Sequence, residues 1–201
     1  MSYPSFLARL RQLPADPALP PQLLQTRQWD GPLCRVRLDN TGSSPEAVRH
    51  WRLFEGALGL SPDAAIYGEG FQMLAQTMGS WQAPEPVGRC PDAGVYRITE
   101  DDGYHTVHNL LLVACEGGWL LLAFASCHRF GGEFRLYPDG RLEIVMNAEG
   151  RTLAPGQHWQ SEALICLEGP DREALLATLA QHIAAEHGSL VGEVPTRPSG
   201  W

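Results

Sequence analysis

The sequence contains no lysine, and all 15 of its basic residues are arginine. This absence excludes from the chain any chemistry that needs a lysine amine, such as a Schiff base or the phosphate-binding lysine of a P-loop. The 23 acidic residues give a formal net charge of −8, so no excess of positive charge is available to neutralise nucleic-acid phosphates. We therefore expect no nucleic-acid partner.

The sequence also lacks any run of about 18 apolar residues, the length that a membrane-spanning helix needs. The first 14 residues do not resemble a secretory signal, because Arg9 and Arg11 interrupt their apolar stretch. We therefore expect a cytoplasmic protein with no membrane partner. A chain of 201 residues with 44% hydrophobic content is long enough for one large domain with a buried core.

The few cysteines of the sequence are not spaced as disulfide or metal-binding pairs. The five cysteines form an odd set without a Cys-x-x-Cys pair, which argues against a disulfide framework and against a structural zinc site. Nothing else in the sequence predicts a metal or a cofactor. Three cysteines lie in apolar, strand-like runs and are expected to behave as small buried hydrophobic residues: Cys115, Cys127 and Cys166.

Short strand patterns separated by turn residues fill most of the chain. Residues 33–39 alternate apolar and polar side chains, as expected for a half-buried strand. Turn residues at 102–103, 117–118 and 138–140 separate further extended runs at hairpin spacing, and residues 156–169 supply another strand. The pattern predicts a mainly β fold, a large antiparallel β-sandwich.

Near the C-terminus the spacing of the apolar residues changes from that of a strand to that of a helix. Apolar residues in 171–188 recur at the spacing of one helix face, and Gly188 is placed to cap the helix. Pro195 and Pro198 then predict an extended connector. The helical apolar residues are Leu175, Leu176, Leu179 and Ile183, and the expected organisation is a β-sandwich domain at 1–170, a C-terminal helix at 171–188 and an extended Pro-rich linker at 189–201.

The segment YGEGFQM is the most informative loop in the sequence. It is not a dinucleotide fingerprint, because Met73 stands where the third glycine belongs and no βαβ pattern surrounds it. Its glycines permit unusual backbone angles beside Tyr67, Phe71 and Gln72. Aromatic rings next to an amide suit a sugar site, although a turn with core aromatics is an equal alternative.

Histidines offer no clear metal site. His105 and His108 are three residues apart in a predicted strand, so their side chains would point to opposite faces. His182 and His187 lie five apart on the predicted helix, whereas zinc-binding pairs on a helix prefer a spacing of four. We expect all four to be ordinary surface or turn histidines.

Residues 121–201 resemble the end of the N-terminal domain of family 36 glycoside hydrolases, the bacterial α-galactosidases and their relatives. The residues that carry this resemblance are the LAPGQ segment at 153–157, Ser161-Glu162 and the PSGW segment at 198–201. The last segment resembles the opening of the Pro-x-Gly-Trp-Cys-Ser-Trp-Tyr motif with which the catalytic barrel of that family begins. Upstream, Gly70-Phe71-Gln72 is similar to a Gly-aromatic-Gln tripeptide of the family.

The resemblance implies a fold related to the galactose mutarotase supersandwich, placed before a (β/α)8 catalytic barrel. Both catalytic aspartates would lie on barrel strands beyond Trp201, so this chain would hold no catalytic residue and would not hydrolyse galactosides alone. The loop around Phe71 would lean over the barrel mouth, where Tyr67, Phe71, Gln72 and Trp201 are the expected sugar-site residues. The expected partners are the chain's own barrel, galactosides and further copies of the chain.

Two other hypotheses stay open. The chain could be a free-standing carbohydrate-binding module, or a mutarotase-like epimerase that uses a general acid and base from His and Glu. The tryptophans that could form a sugar platform are Trp29, Trp51, Trp81, Trp119 and Trp159, and the histidines available to an epimerase are His105, His108 and His128.

Overall fold

The structure is a computed structural model that describes residues 5–14, 16, 18–71, 75–88 and 103–187. These residues form twelve β-strands and two α-helices. In chain order they are α1 (Phe6–Gln12), β1 (Leu23–Asp30), β2 (Leu33–Asn40), β3 (Glu46–Ala57), β4 (Ile66–Glu69), β5 (Gln76–Gly79), β6 (Pro84–Val87), β7 (His105–Cys115), β8 (Gly118–Phe124), β9 (Gly131–Leu136), β10 (Arg141–Leu153), β11 (His158–Gln160), β12 (Leu164–Gly169) and α2 (Arg172–His187).

The strands pair only in antiparallel fashion within the described part of the chain. The main path of the sheet has the order β1-β2-β12-β8-β7-β4-β5-β6. A branch leaves β7 and continues through β9 and β10 to β3, and β11 pairs with β2. The predicted mainly β, antiparallel, sandwich-like fold with a C-terminal helix is therefore confirmed.

Side chains tie the strand β1 to the strand β3. Two Arg27 guanidinium nitrogens donate hydrogen bonds to the carbonyl oxygens of Leu13 and Leu53, each at 2.5 Å. Gln25 Nε2 also donates to Leu53 O at 3.2 Å, and Trp51 Nε1 donates to Gln25 Oε1 at 2.8 Å. The two strands are thus joined by side-chain hydrogen bonds in place of a backbone ladder.

The alternation predicted for residues 33–39 is observed in β2, where Cys34, Val36 and Leu38 are completely buried. They belong to the main core, which lies on one face of the sheet, here called the inner face. A smaller apolar layer lies on the opposite, outer face beneath α2. Its buried members are Leu112, Leu121, Ala123, Ala125, Ala163, Ile165, Leu175 and Leu179.

The helix α2 forms where the sequence predicts it. Asp171 precedes the helix, and its Oδ1 accepts the backbone N–H groups of Glu173 at 2.8 Å and Ala174 at 3.2 Å, which is a helix N-cap. Leu175 and Leu179 are buried against the outer face of the sheet. Gly188 and the predicted linker at 189–201 lie outside the described residues.

The helix α1 was not predicted from the sequence. Ser5 caps it by accepting the N–H of Ala8 at 3.0 Å, and Leu10 is buried in the main core. Arg9 donates to the carbonyl oxygen of Leu58, which fixes the helix against the end of β3. Neither helix in the part of the chain that the structure describes is long and apolar enough to cross a lipid bilayer.

The cysteines do not all lie in the core. Cys166 is buried as predicted, and Cys115 is half-buried. The prediction for Cys127 is wrong, because this residue is exposed in the loop that follows β8. The strand β8 ends at Phe124 and the buried residues end at Ala125, so the buried segment stops before Cys127.

Candidate functional site

The predicted sugar-site residues that the structure describes lie at the end of β4. Tyr67 is half-buried and packs against the apolar layer beneath α2. Phe71 follows the strand and is 71% exposed, and its ring meets the imidazole of His108 with 5.3 Å between the ring centroids. Tyr67 therefore has a packing role, whereas Phe71 presents an aromatic surface to the outside. Gln72 and Trp201 lie outside the described residues.

The glycines of this segment act through close packing. Neither Gly68 nor Gly70 has a positive φ, so the unusual backbone angles expected from the sequence are not observed. A Cβ on Gly68 would lie 2.2 Å from Val107 Cγ1, and a Cβ on Gly70 would lie 2.7 Å from Ala75 Cβ. Gly70 N also donates to Ala75 O at 2.8 Å. The glycines thus let β4 approach β7 and hold the base of the Phe71 loop closed.

His105 and His108 point to opposite faces of β7, as the sequence predicted, but both lie in a strand and not in a turn. His105 Nε2 is 2.9 Å from Thr77 Oγ1. His108 pairs across the strands with Glu133 on the outer face. Among the described residues, no group of three or more potential ligands is arranged to hold a metal ion.

The environment of His108 favours its neutral form. Burial lowers the pKa of His108 below its ordinary value of 6.5, and the nearby Glu133 carboxylate opposes part of this effect. Both oxygens of Glu133 are already engaged: Oε1 accepts from Asn147 Nδ2 at 2.9 Å and Oε2 accepts from Arg135 Nη2 at 2.7 Å. The structure thus contains a His–Glu pair, but its carboxylate is held by two other side chains.

Glu133 belongs to a group of charged residues on the outer face, which we call the outer charge cluster. Glu133, Arg135 and Glu143 are each less than a tenth exposed. Arg135 Nη1 lies 3.7 Å from Glu143 Oε2, and Arg141 Nη1 lies 2.8 Å from Glu143 Oε1 and 2.9 Å from Glu55 Oε1. The members of the outer charge cluster are Arg52, Glu55, Glu133, Arg135, Arg141 and Glu143.

Two tyrosines lie beside the outer charge cluster. The guanidinium carbon of Arg135 lies 5.1 Å from the ring centroid of Tyr104, and that of Arg141 lies 3.5 Å from the ring centroid of Tyr137. Burial and the Glu143 carboxylate raise the pKa of Tyr137. The acids and the arginines of the cluster pair with one another beside these rings, so the cluster has no unpaired charge among the residues that the structure describes.

The LAPGQ segment has a structural role. It is a tight turn, in which Gln157 N donates to Ala154 O at 3.1 Å and Gly156 has a φ of +70°, a conformation that favours glycine. The turn is fixed to Asn40, a buried residue at the end of β2. Asn40 N donates to Gln157 O at 3.0 Å, and Asn40 Nδ2 donates to Leu153 O at 2.9 Å.

The Ser161-Glu162 pair is also structural. Ser161 Oγ accepts the N–H of Val36 at 2.9 Å and donates to Glu162 O at 2.8 Å. The Glu162 carboxylate accepts from Ser126 Oγ and from Arg129 N, the latter at 2.8 Å. These bonds join the start of β12 to β2 and fix the loop between β8 and β9.

The tryptophans differ in their access to a ligand. Trp51 and Trp81 are buried in the main core and cannot form a sugar platform. Trp29 and Trp159 are partly buried and pack on that core. Trp119 is partly buried beside the smaller apolar layer and also lines an open cleft.

The sequence matches no model of a known protein family and no curated protein. The family resemblance noted from residues 121–201 therefore stays a prediction.

Proposed function

We propose that the chain is a non-catalytic β-domain of an α-galactosidase-like glycoside hydrolase. In this proposal it packs on a (β/α)8 catalytic barrel, and the loop that carries Phe71 helps to shape the sugar site of that barrel. Galactosides are then the expected substrates of the whole enzyme, and the hydrolytic carboxylates belong to the barrel.

The observation that supports this proposal best is the exposure of Phe71. A large aromatic side chain that is 71% exposed leaves apolar surface in water, and such surfaces are enriched where proteins bind partners or ligands. The loop base is held by the hydrogen bond from Gly70 to Ala75, so the ring is presented from a fixed support. An exposed aromatic residue beside such a support suits a position at the edge of a sugar site.

The motif residues support a relationship in fold. The turn at 153–157 fixes β10 to Asn40, and Ser161 with Glu162 fixes β12 to β2 and to the loop after β8. Residues with such roles are required by the architecture whatever chemistry the protein serves. They therefore strengthen the proposal of a shared fold more than the proposal of a shared substrate.

Complex formation with a barrel tests the proposal. The probe is the catalytic barrel of a bacterial family 36 α-galactosidase, expressed without its own N-terminal domain. We expect the chain alone to release no nitrophenol from an aryl α-galactoside, and the mixture to form a complex in size-exclusion chromatography with increased activity. Hydrolysis by the chain alone at an enzyme-like rate would contradict a non-catalytic role.

A matched pair of variants tests the role of Phe71. The substitution Phe71→Ser should weaken the complex about tenfold, because it removes an exposed aromatic contact. Leu24→Ser changes another exposed hydrophobic residue, 55% exposed on β1, and should leave the complex unchanged. Equal effects of the two substitutions would show that Phe71 is not part of the interface.

A second candidate, an aldose epimerase, is favoured by the cross-strand pairing of His108 with Glu133. The engagement of Glu133 with Arg135 and Asn147 weakens this candidate, because a general base needs a free lone pair near the substrate. Polarimetry of freshly dissolved α-galactose decides between the two. A rate of mutarotation above the buffer value that is lost in His108→Gln would favour the epimerase.

A further inference from the structure

A cleft of about 1060 Å³ opens at the end of the sheet that carries the hairpin between β7 and β8. Its walls come from the start of α1, from residues 59–65 after β3, from residues 114–119 and from the end of β12. Phe71 lies near His108, whereas the cleft begins at Ala114, so the two features are separated by roughly 20 Å along β7. The cleft is therefore distinct from the Phe71 loop.

Two aromatic rings line the cleft, those of Phe6 and Trp119. Each ring has a guanidinium group nearby: the Cζ atom of Arg9 lies 4.6 Å from the centroid of Phe6, and that of Arg172 lies 5.7 Å from the centroid of Trp119. Both rings are half-buried, so they combine apolar surface in the cleft with contacts that restrain them. Flat, restrained rings are the surfaces on which the apolar face of a sugar can lie.

The polar walls of the cleft offer mainly hydrogen-bond acceptors. Asp63, Glu116 and Glu168 line it, and the side chains of Asp63 and Glu116 have no hydrogen-bond or ion-pair partner among the residues that the structure describes. Glu168 accepts the backbone N–H of Leu7 with one carboxylate oxygen. Arg9, the cation in the cleft wall, already donates to Leu58 O. A fitting ligand thus brings hydrogen-bond donors and carries no negative charge.

We propose that this cleft binds a neutral saccharide of two or more units. The aromatic rings would cover sugar C–H faces, and the carboxylates would accept hydrogen bonds from hydroxyl groups. A small organic cation would also complement the carboxylates, but it would fill little of a volume that lies at the upper end of the usual range for ligand sites. This inference is argued from the cleft alone and does not depend on the proposed partnership with a barrel.

Titration of the full chain with sugars tests the proposal. The neutral probes are galactose, melibiose, raffinose and maltose, followed by calorimetry and by tryptophan fluorescence. We expect saturable binding of at least one of the oligosaccharides, tighter than that of galactose, with digalacturonic acid about tenfold weaker than that oligosaccharide because of the acidic walls. Flat titrations with all four neutral sugars would overturn the proposal, and so would tighter binding of arginine amide than of every sugar.

Two variants locate the binding. Trp119→Ala should weaken binding about tenfold by removing the ring. Ser61→Trp places a bulky side chain at an exposed position of the cleft wall and should abolish binding while the fold, followed by circular dichroism, is kept. The second variant decides the matter if the first does not fold.

Leu24→Ser, which changes an exposed residue outside the cleft, is the matched control and should bind sugar as the unchanged chain does. Sugar binding that survives Ser61→Trp would overturn the assignment to the cleft. If the chain binds sugar but no barrel, this inference stands and the proposed function is contradicted. If the chain binds a barrel but no sugar, the proposed function stands and this inference is contradicted.

Discussion

The ring of Phe71 lies edge-on against the imidazole of His108, with 5.3 Å between the two centroids. The contact joins the most exposed large hydrophobic residue that the structure describes to a histidine whose pKa is lowered by burial. Because His108 also neighbours Glu133, the loop and the outer charge cluster are connected through one imidazole ring. Protonation of His108 would therefore change the electrostatic environment of both the Phe71 loop and the outer charge cluster.

The first prediction concerns this protonation. The folded protein holds the pKa of His108 below 6.5, whereas the unfolded chain has the ordinary value, so the unfolded chain binds more protons just below pH 6.5. The stabilising contribution is present above this range and is lost as the pH falls. Urea unfolding at pH 7, 6 and 5 should show a smaller loss of stability for His108→Gln than for the unchanged chain.

The exposed residue His158 provides the control for this experiment. His158→Gln also removes one imidazole but keeps His108, and should lose more stability on acidification than His108→Gln does. An identical pH dependence in His108→Gln would show that burial of this imidazole does not contribute.

The second prediction uses two adjacent glycines of β9. A Cβ on Gly132 would lie 2.1 Å from the Phe124 ring, whereas a Cβ on Gly131 would have its nearest neighbour at 3.9 Å. We expect Gly132→Ala to destabilise the fold by about 1–3 kcal/mol through overpacking, and Gly131→Ala to change it little. Thermal and urea unfolding measure the difference. Similar midpoints for the two variants would contradict the packing of Phe124 against β9.

The sequence predicted those parts of the fold that depend on local patterns. The alternation of residues 33–39 became β2, the turns at 117–118 and 138–140 became hairpins, and the apolar spacing after Asp171 became α2. In each case the hydrophobic period and the turn residues agree with the tertiary structure. The helix α1 escaped prediction because its stability depends on distant contacts, such as that of Arg9 with Leu58.

The candidate sites were harder to predict for the same reason. Glu133 and Arg135 alternate with apolar residues, which is the pattern of a solvent-exposed strand face, yet both are buried. Their burial follows from cross-strand pairing with His108 and Glu143 and from nearby tyrosine rings, none of which can be read from one strand. The cleft combines four distant segments, and Trp119 is the one residue of its lining that the sequence had marked as a possible sugar platform.

The third prediction compares a buried carboxylate with a partly exposed one. Glu143 is 4% exposed and lies within 4 Å of Arg52, Arg135 and Arg141. Glu143→Gln removes the buried carboxylate that these three arginines share, while Arg135 keeps Glu133 and Arg141 keeps Glu55, and should destabilise the fold by about 1–3 kcal/mol in urea unfolding. The control Asp39→Asn breaks an exposed pair with Arg37 and should cost less than about 1 kcal/mol. Equal costs would show that the outer charge cluster is solvated.

The fourth prediction concerns the cysteines. Burial raises the pKa of Cys34 to about 12 and raises that of Cys166 well above its ordinary value, whereas Cys127 is exposed. Since the thiolate is the reactive form, native protein treated with iodoacetamide should be modified at Cys127 while Cys34 and Cys166 react only after unfolding in urea. Peptide mass mapping measures each site. Native labelling of Cys34 at the rate of Cys127 would contradict the burial of β2.

Cys115 gives the same experiment a second use. It is half-buried, its pKa is raised by burial, and it lines the cleft between α1 and the hairpin of β7 and β8. A saccharide bound in the cleft should slow the alkylation of Cys115 and leave that of Cys127 unchanged, because only the first thiol would be covered. Equal slowing at both sites would indicate a general effect of the sugar on the protein, and no slowing at Cys115 under saturating sugar would place the ligand elsewhere.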